Sequence, residues 1–365
     1  MSHDRTLTFG FTAAAAADDV PTRRDADRYA RMVRECRLGH SLGYDCAWVL
    51  EHHFTDYFPT PSPLLVMAHL AAACPGLSLG SSVIVVPWYS PLRLAEEIAM
   101  MSHFCTGELH LAVGRGTAKL EYDAYDIDMT SARSRLGEAM QVIRTALEGE
   151  PFDHDGEHYR IGRTVRLRPE PVRDRIYFYG AVGSRESAAG NADMGLPVLL
   201  NTQFPPQALQ SIIDAWQERA DGLGLDPGGY RPLSTNCVIA DSDDEAREGA
   251  RHYLAAFFAL QADHYEADAD HWKDIEGYRQ FSRSFGMLRT LSDPANLDPF
   301  LDNQLIGSPR TVSGRLEQYR DMGFDHVIMN FAREGWPAAM RETSMRRFAT
   351  EVAPAFRTGP GLAVR

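Results

Sequence analysis

Residues 48–57 read Trp-Val-Leu-Glu-His-His-Phe-Thr-Asp-Tyr. An apolar run of strand character stops at Glu51, His52 and His53, then enters a loop with Phe54, Tyr57, Phe58 and three prolines. Two adjacent imidazoles can supply a proton acceptor and a hydrogen-bond donor near neutral pH. In a barrel of alternating strands and helices, the end of a strand is where reacting groups are mounted. Glu51, His52 and His53 are therefore the candidate catalytic residues, the plain alternative being a polar cluster that caps a strand. A metal site would need ligands from elsewhere at a recognisable spacing, and none is visible, so no metal is expected.

Other constellations suggest a seat for a small anion. Gly114-Arg115-Gly116 lets backbone N–H groups approach a ligand, and Arg115 can grip a phosphate with two parallel hydrogen bonds. It lacks the spacing of a dinucleotide fingerprint. Gly183-Ser184-Arg185-Glu186-Ser187 opens a helix, where exposed N–H groups, two hydroxyls and the helix dipole favour an anion; simple N-capping by Ser184 is the alternative. Arg133 and Arg135 start another helix and can reach the same phosphate, or else form a solvated face. Gly80-Ser81-Ser82-Val83 puts small polar residues inside an apolar strand, either as a bulge or as strained backbone beneath a flat ring. Phe54, Phe58, Trp88, Tyr89 and Phe204 follow predicted strand ends and can line an apolar pocket, ordinary packing being the alternative.

The elements that must position these groups alternate along the chain. Strands are predicted over 7–11, 46–50, 77–86, 108–113, 176–180, 197–201, 233–239 and 324–329. Helices are predicted over 26–42, 63–74, 91–104, 133–147, 184–194, 206–222, 243–261, 311–322 and 340–352. Eight strands with helices between them predict an α/β fold, a (β/α)8 TIM barrel with insertions near 150–175 and 264–306, as one domain over 1–365. A doubly wound sheet is the rival architecture. The alanines at 13–17 are read as part of a loop.

Composition narrows the class. With 44% hydrophobic residues over 365 positions the chain can bury a large core, and a net charge of -13 argues against a nucleic-acid partner. The five cysteines are scattered without a metal or disulfide framework, which suits a reducing compartment. No apolar run is long enough to cross a bilayer, so no membrane partner is expected and the location is expected to be cytoplasmic.

Taken together, the motifs resemble those of the bacterial luciferase-like flavin-dependent monooxygenases, most closely the luciferase alpha subunit. The resemblance rests on residues 48–57, 80–91 (GSSVIVVPWYSP), 112–116 (AVGRG), 128–133 (DMTSAR), 183–187 (GSRES) and 195–197 (GLP), in family order. It implies a barrel that binds reduced FMN, supplied by a separate flavin reductase. Dioxygen is then activated as a C4a-(hydro)peroxyflavin, which oxygenates a small apolar or aromatic organic substrate. By motif position it implies His52 as the active-site histidine, with Arg115, Ser184 and Ser187 around the phosphate, together with either Arg133 or Arg135; Gly183, part of the anion seat read above, stands where luciferase has an acid. It also implies a non-prolyl cis peptide at Ser82-Val83 under the flavin ring, and a homodimer. Gly114 stands where luciferase has its reactive cysteine, which argues against light emission. An F420-dependent oxidoreductase on the same barrel and a non-catalytic flavin-binding protein are the alternative readings.

Overall fold

Strands buried on both faces carry near-continuous apolar runs instead of an alternating pattern, and those that build this molecule are of that kind. The computed structural model describes residues 6–16, 25–225, 231–275, 278–331, 333 and 335–357. Its strands are β1 (Thr8–Ala13), β2 (Cys46–Val49), β3 (Ser78–Val85), β4 (Leu109–Gly114), β5 (Phe152–Asp155), β6 (Arg160–Val165), β7 (Ile176–Ala181), β8 (Val198–Asn201), β9 (Pro232–Ile239), β10 (Leu305–Gly307) and β11 (His326–Asn330). The large sheet runs β10-β9-β11-β1-β2-β3-β4-β7-β8, and β8 also pairs with β9, so eight strands close into a ring. With helices between successive strands, the fold is a (β/α)8 barrel. Two additions lie outside the ring: the antiparallel pair β5–β6, and β10, which extends from β9.

The chain divides into two compact units. One comprises Val49–Ala181 and Phe258–Thr290. In it β3, β4 and β7 pair in parallel, with Leu79 opposite Leu109 and Leu109 opposite Ile176, and the register of β3 slips between Ser82 and Ile84. The helix Pro63–Ala73 begins where sequence chemistry places it: Ser62 caps the Leu65 N–H and Pro63 fills the first turn. The helix Ala132–Leu147 buries Leu136, Met140, Ile143 and Leu147, a stripe at helical spacing.

The other unit comprises Met1–Trp48, Val182–Phe257 and Leu291–Arg365. There β1 pairs with β11, and β9 pairs with both β11 and β8. Glycine is required at position 10, since a Cβ would lie 2.6 Å from Trp48 Nε1 and 2.7 Å from His326 Nε2. The buried Arg341 and Glu35 side chains pair at 2.8 Å.

The structure departs from the sequence reading in several places. β2 stops at Val49 and β1 continues to Ala13, so the alanine loop starts at Ala14 and is described to Ala16; Ala17 lies outside the described residues. The segment 264–306 is not irregular throughout: it holds the helix Arg279–Leu291 and the strand β10. A short helix, Lys119–Ala124, follows β4 where none was expected. Finally, the helix expected over 340–352 is α-helical only over Ala338–Arg347 and widens to a π-turn at Phe348–Val352.

Candidate active site

The loop after β2 gathers the sequence-predicted groups of the first unit. Glu51 is buried and held three ways. Its Oε2 accepts the Val85 N–H at 2.9 Å, and its Oε1 accepts the Tyr89 hydroxyl at 3.0 Å and lies 3.1 Å from His53 Nε2. The other nitrogen of His53, Nδ1, meets the Tyr125 hydroxyl at 3.0 Å. Burial pushes the Glu51 carboxyl above its usual range, and the contacts from His53, Val85 and Tyr89 pull it back. Glu51 and His53 are thus two members of one saturated network, which pins the loop on both sides of His52.

His52 faces a different set of groups. It is only part-buried, and its N–H bonds the Thr60 carbonyl at 3.3 Å. Its ring sits 4.5 Å from Tyr57, 6.4 Å from Phe58 and 5.1 Å from His264, with Tyr265 at 6.4 Å. Of the aromatic residues expected to line a pocket, Phe58 is fully buried in this wall, whereas Phe54 is 60% exposed and leans on His53 and Tyr125. Tyr89 spends its hydroxyl on Glu51.

Two residues that the sequence reading passed over complete the cluster. Glu121, on the short helix after β4, accepts the His53 N–H at 3.0 Å. Burial raises its carboxyl to about 7. His264 is buried against Tyr57, with Nδ1 2.8 Å from Thr55 Oγ1; burial, then the charge of His53, lowers it to about 4. Glu121 had a local signal, an acid one helical turn ahead of Tyr125 just past the Gly-Arg-Gly turn. His264 had none, because it stands 211 positions along the chain from His53.

The strand end of β3 and the turn after β4 were expected to serve a cofactor. The Ser82-Val83 peptide is cis, both residues are part-buried, and the Cβ of any residue replacing Gly114 would meet Val83 Cγ2 at 3.2 Å. Trp88 lies stacked at 5.3 Å on Tyr125, and its buried Nε1 has no hydrogen-bond partner among the described residues. Arg115 rests 4.0 Å above the Tyr278 ring, and Tyr278 donates to the Gly116 carbonyl at 3.2 Å. Tyr122 donates to the Arg115 carbonyl, fixing the turn. Arg133 is exposed, and Arg135 bonds Ser131 Oγ at 2.9 Å. These guanidiniums are the right chemistry for a phosphate.

In the other unit, Gly183-Ser184-Arg185-Glu186-Ser187 forms a reciprocal capping box. Ser184 Oγ accepts the Ser187 N–H at 3.1 Å, and Ser187 Oγ accepts the Ser184 and Gly183 N–H groups at 3.0 and 3.3 Å. The capping alternative is therefore realised, and two donors that an anion would use are already shared with Ser187. Arg185 turns away to the Ser211 carbonyl at 2.8 Å. Any Cβ at Gly183 would meet the Phe204 ring at 3.2 Å.

Residues 7–326 match the profile of the family described as luciferase-like monooxygenase. The chain is 24% identical over 352 residues to the oxygenase component of a flavin-dependent trigonelline monooxygenase from Acinetobacter baylyi, covering 90% of each. It is 22% identical over 327 residues to an alkanal monooxygenase alpha chain from Photorhabdus luminescens, covering 88% of this chain and 90% of that one. Its fold is similar to that of the monooxygenase RslO1 from Streptomyces bottropensis, with a TM-score of 0.79, 22% identity and coverage of 96% and 100%. A second solved neighbour is an F420-dependent secondary alcohol dehydrogenase in complex with an F420-acetone adduct, with a TM-score of 0.75, 16% identity and coverage of 96% and 99%. None of the described helices is long and apolar enough to cross a membrane.

Proposed function

The chain belongs to the luciferase-like family of flavin-dependent monooxygenases, and from that premise we propose that it uses reduced FMN and dioxygen to oxygenate a small apolar or aromatic organic molecule. A separate reductase supplies the reduced flavin, and the working enzyme is a cytoplasmic homodimer. Reduced flavin, when bound, supplies the two electrons with which one oxygen atom enters the substrate and the other leaves as water. The observation that carries the reading is His52: a part-buried imidazole in the loop after β2, walled by Tyr57 and Phe58 and braced from its neighbours by the Glu51–His53 network.

In this reading each residue has a stated task. His52 takes or returns the proton that accompanies oxygen transfer. Glu51 and His53 position the loop, because their polar atoms are already engaged. Tyr57, Phe58 and Tyr265 exclude water, which would otherwise compete for the activated oxygen. Ser82, Val83 and Trp88 seat the ring, and Arg115, with Arg133 or Arg135, offers charge to the phosphate. Gly183, Ser184 and Ser187 are assigned to the phosphate as well.

The test couples the protein to a flavin reductase with NADH and FMN, and measures oxygen uptake and reduced-flavin binding. His52→Ala is expected to lower turnover by about 10²-fold or more with flavin affinity nearly unchanged. Equal losses in both would remove its proton role. A protein that binds F420 in preference to FMN would replace oxygen transfer by hydride transfer, and a flavin-loaded protein that consumes no oxygen with any substrate would be a binding protein.

A further inference from the structure

We propose that His52, Glu121 and His264 form a binding site for a divalent transition-metal cation of the zinc class. The three belong to one compact unit, and one ligand atom from each lies within 4.8 Å of the others. Two imidazole nitrogens and one carboxylate oxygen are the donor set such ions prefer, with a fourth position left to solvent. The two buried members are already at the right separation. His264 Nε2 and Glu121 Oε1 are 3.5 Å apart. Ligand atoms held at roughly 2.0–2.1 Å from a tetrahedral zinc ion stand about 3.4 Å from one another. A direct N–H···O hydrogen bond would be nearer 2.9 Å, so the pair is too wide for one and spaced for a shared ion.

The surroundings of His264 point the same way. Its ring is almost fully buried, and Nε2 has no hydrogen-bond partner among the described residues. Nδ1 is held at 2.8 Å by Thr55 Oγ1, which itself accepts the Tyr57 N–H at 3.3 Å. One ring nitrogen fixed by a neighbour, with the other presented bare to a carboxylate, is how proteins orient a metal-binding histidine. Glu121 Oε1, the oxygen that faces His264, also accepts the His53 N–H, which fixes the orientation of the carboxylate. His52 is the part-buried member, with a ring nitrogen within 4.8 Å of the other two ligand atoms. The site shares His52 with the oxygenation reading, and a bound cation would take that imidazole out of the reaction. The site itself does not depend on that reading, because its test uses no flavin.

The untagged, chelator-treated full chain is titrated with Zn²⁺ by calorimetry and with Co²⁺ by visible absorption. The expected result is saturable binding of one ion per chain, with the intense visible bands of low-coordinate cobalt. Glu121→Gln and His264→Asn should each weaken it by at least about tenfold, and Thr55→Val, which frees the His264 ring, by less. Circular dichroism checks folding, and the near-isosteric Glu121→Gln carries the test if His264→Asn does not fold. Absence of saturable binding at millimolar zinc overturns the proposal. So does binding that survives both ligand substitutions but disappears with His154→Asn, which would place the ion on the unrelated His154–Glu138 pair, 3.0 Å apart.

Discussion

Two buried histidines, one in each compact unit, make opposite use of the same side chain. His326, at the start of β11, is saturated: its Nδ1 lies 2.8 Å from Thr8 Oγ1, and its Nε2 accepts the Trp48 N–H at 2.9 Å. Thr8 Oγ1 also lies 3.2 Å from the Asp325 carbonyl, so a single tautomer with the proton on Nδ1 satisfies every group. His264 is engaged at Nδ1 only, and its Nε2 points at a carboxylate that it does not reach. Buried polar atoms are normally paired. A fully paired buried histidine is part of the scaffold; one that keeps an unpaired nitrogen beside a part-buried imidazole retains capacity for a ligand or a proton.

That contrast can be broken by direct measurement. His326→Ala should cost about 4 kcal/mol of stability in chemical denaturation, because it opens a cavity and strands the Trp48 N–H. His264→Ala, which loses one hydrogen bond and strands no buried donor, should cost about 2 kcal/mol less. Equal costs would mean that the two rings serve the same structural end.

The pH dependence sharpens it further. Burial lifts Glu121 from 4.5 to about 7, so its stabilisation is complete below pH 4.5 and fades as pH rises through about 7. Burial depresses His264 from 6.5 to about 4, so its contribution is complete above pH 6.5 and fades as pH falls through about 4. The two windows overlap between pH 4.5 and 6.5, where the opposite slopes largely cancel. Glu121→Gln removes the falling contribution, so stability should rise with pH between 4.5 and 6.5 by on the order of 2 kcal/mol relative to the parent chain, read from chemical denaturation at pH 4.5 to 8. An unchanged slope would mean that Glu121 stays ionised in the folded chain.

The smallest expected effect tests the polar site with no buried histidine, the capping box. Ser184→Ala should cost about 1 kcal/mol of stability as a lost N-cap. If Ser184 also serves the phosphate, reduced-FMN affinity should fall about tenfold in a titration. Loss of stability with affinity intact would leave Ser184 as a cap alone.

Much of the frame was legible along the chain, for local reasons. Strand and helix alternation follows from periodicity over ten or fewer residues, so the eight barrel strands were all recognisable, whereas β10, three residues long, carries too little pattern to register. Pro91–Phe104 and Pro206–Gly222 matched to the residue because proline starts both. Glu51, His52 and His53 stood out through adjacency, and Ser184 through its spacing to Ser187.

Adjacency could not say which of those neighbours faces the interior. Successive side chains leaving a strand point to opposite sides, and only the partners supplied by Val85, Tyr89 and Tyr125 make Glu51 and His53 a brace while His52 faces another set of groups. The sequence by itself determined the barrel, the family and the strand end that bears the imidazoles, because these rest on short-range pattern. Tertiary structure alone decided that Glu121 and His264, 143 positions apart, meet within 3.5 Å. Side-chain contacts between distant segments are set by how helices and loops pack after the strands close, and no spacing along the chain encodes them.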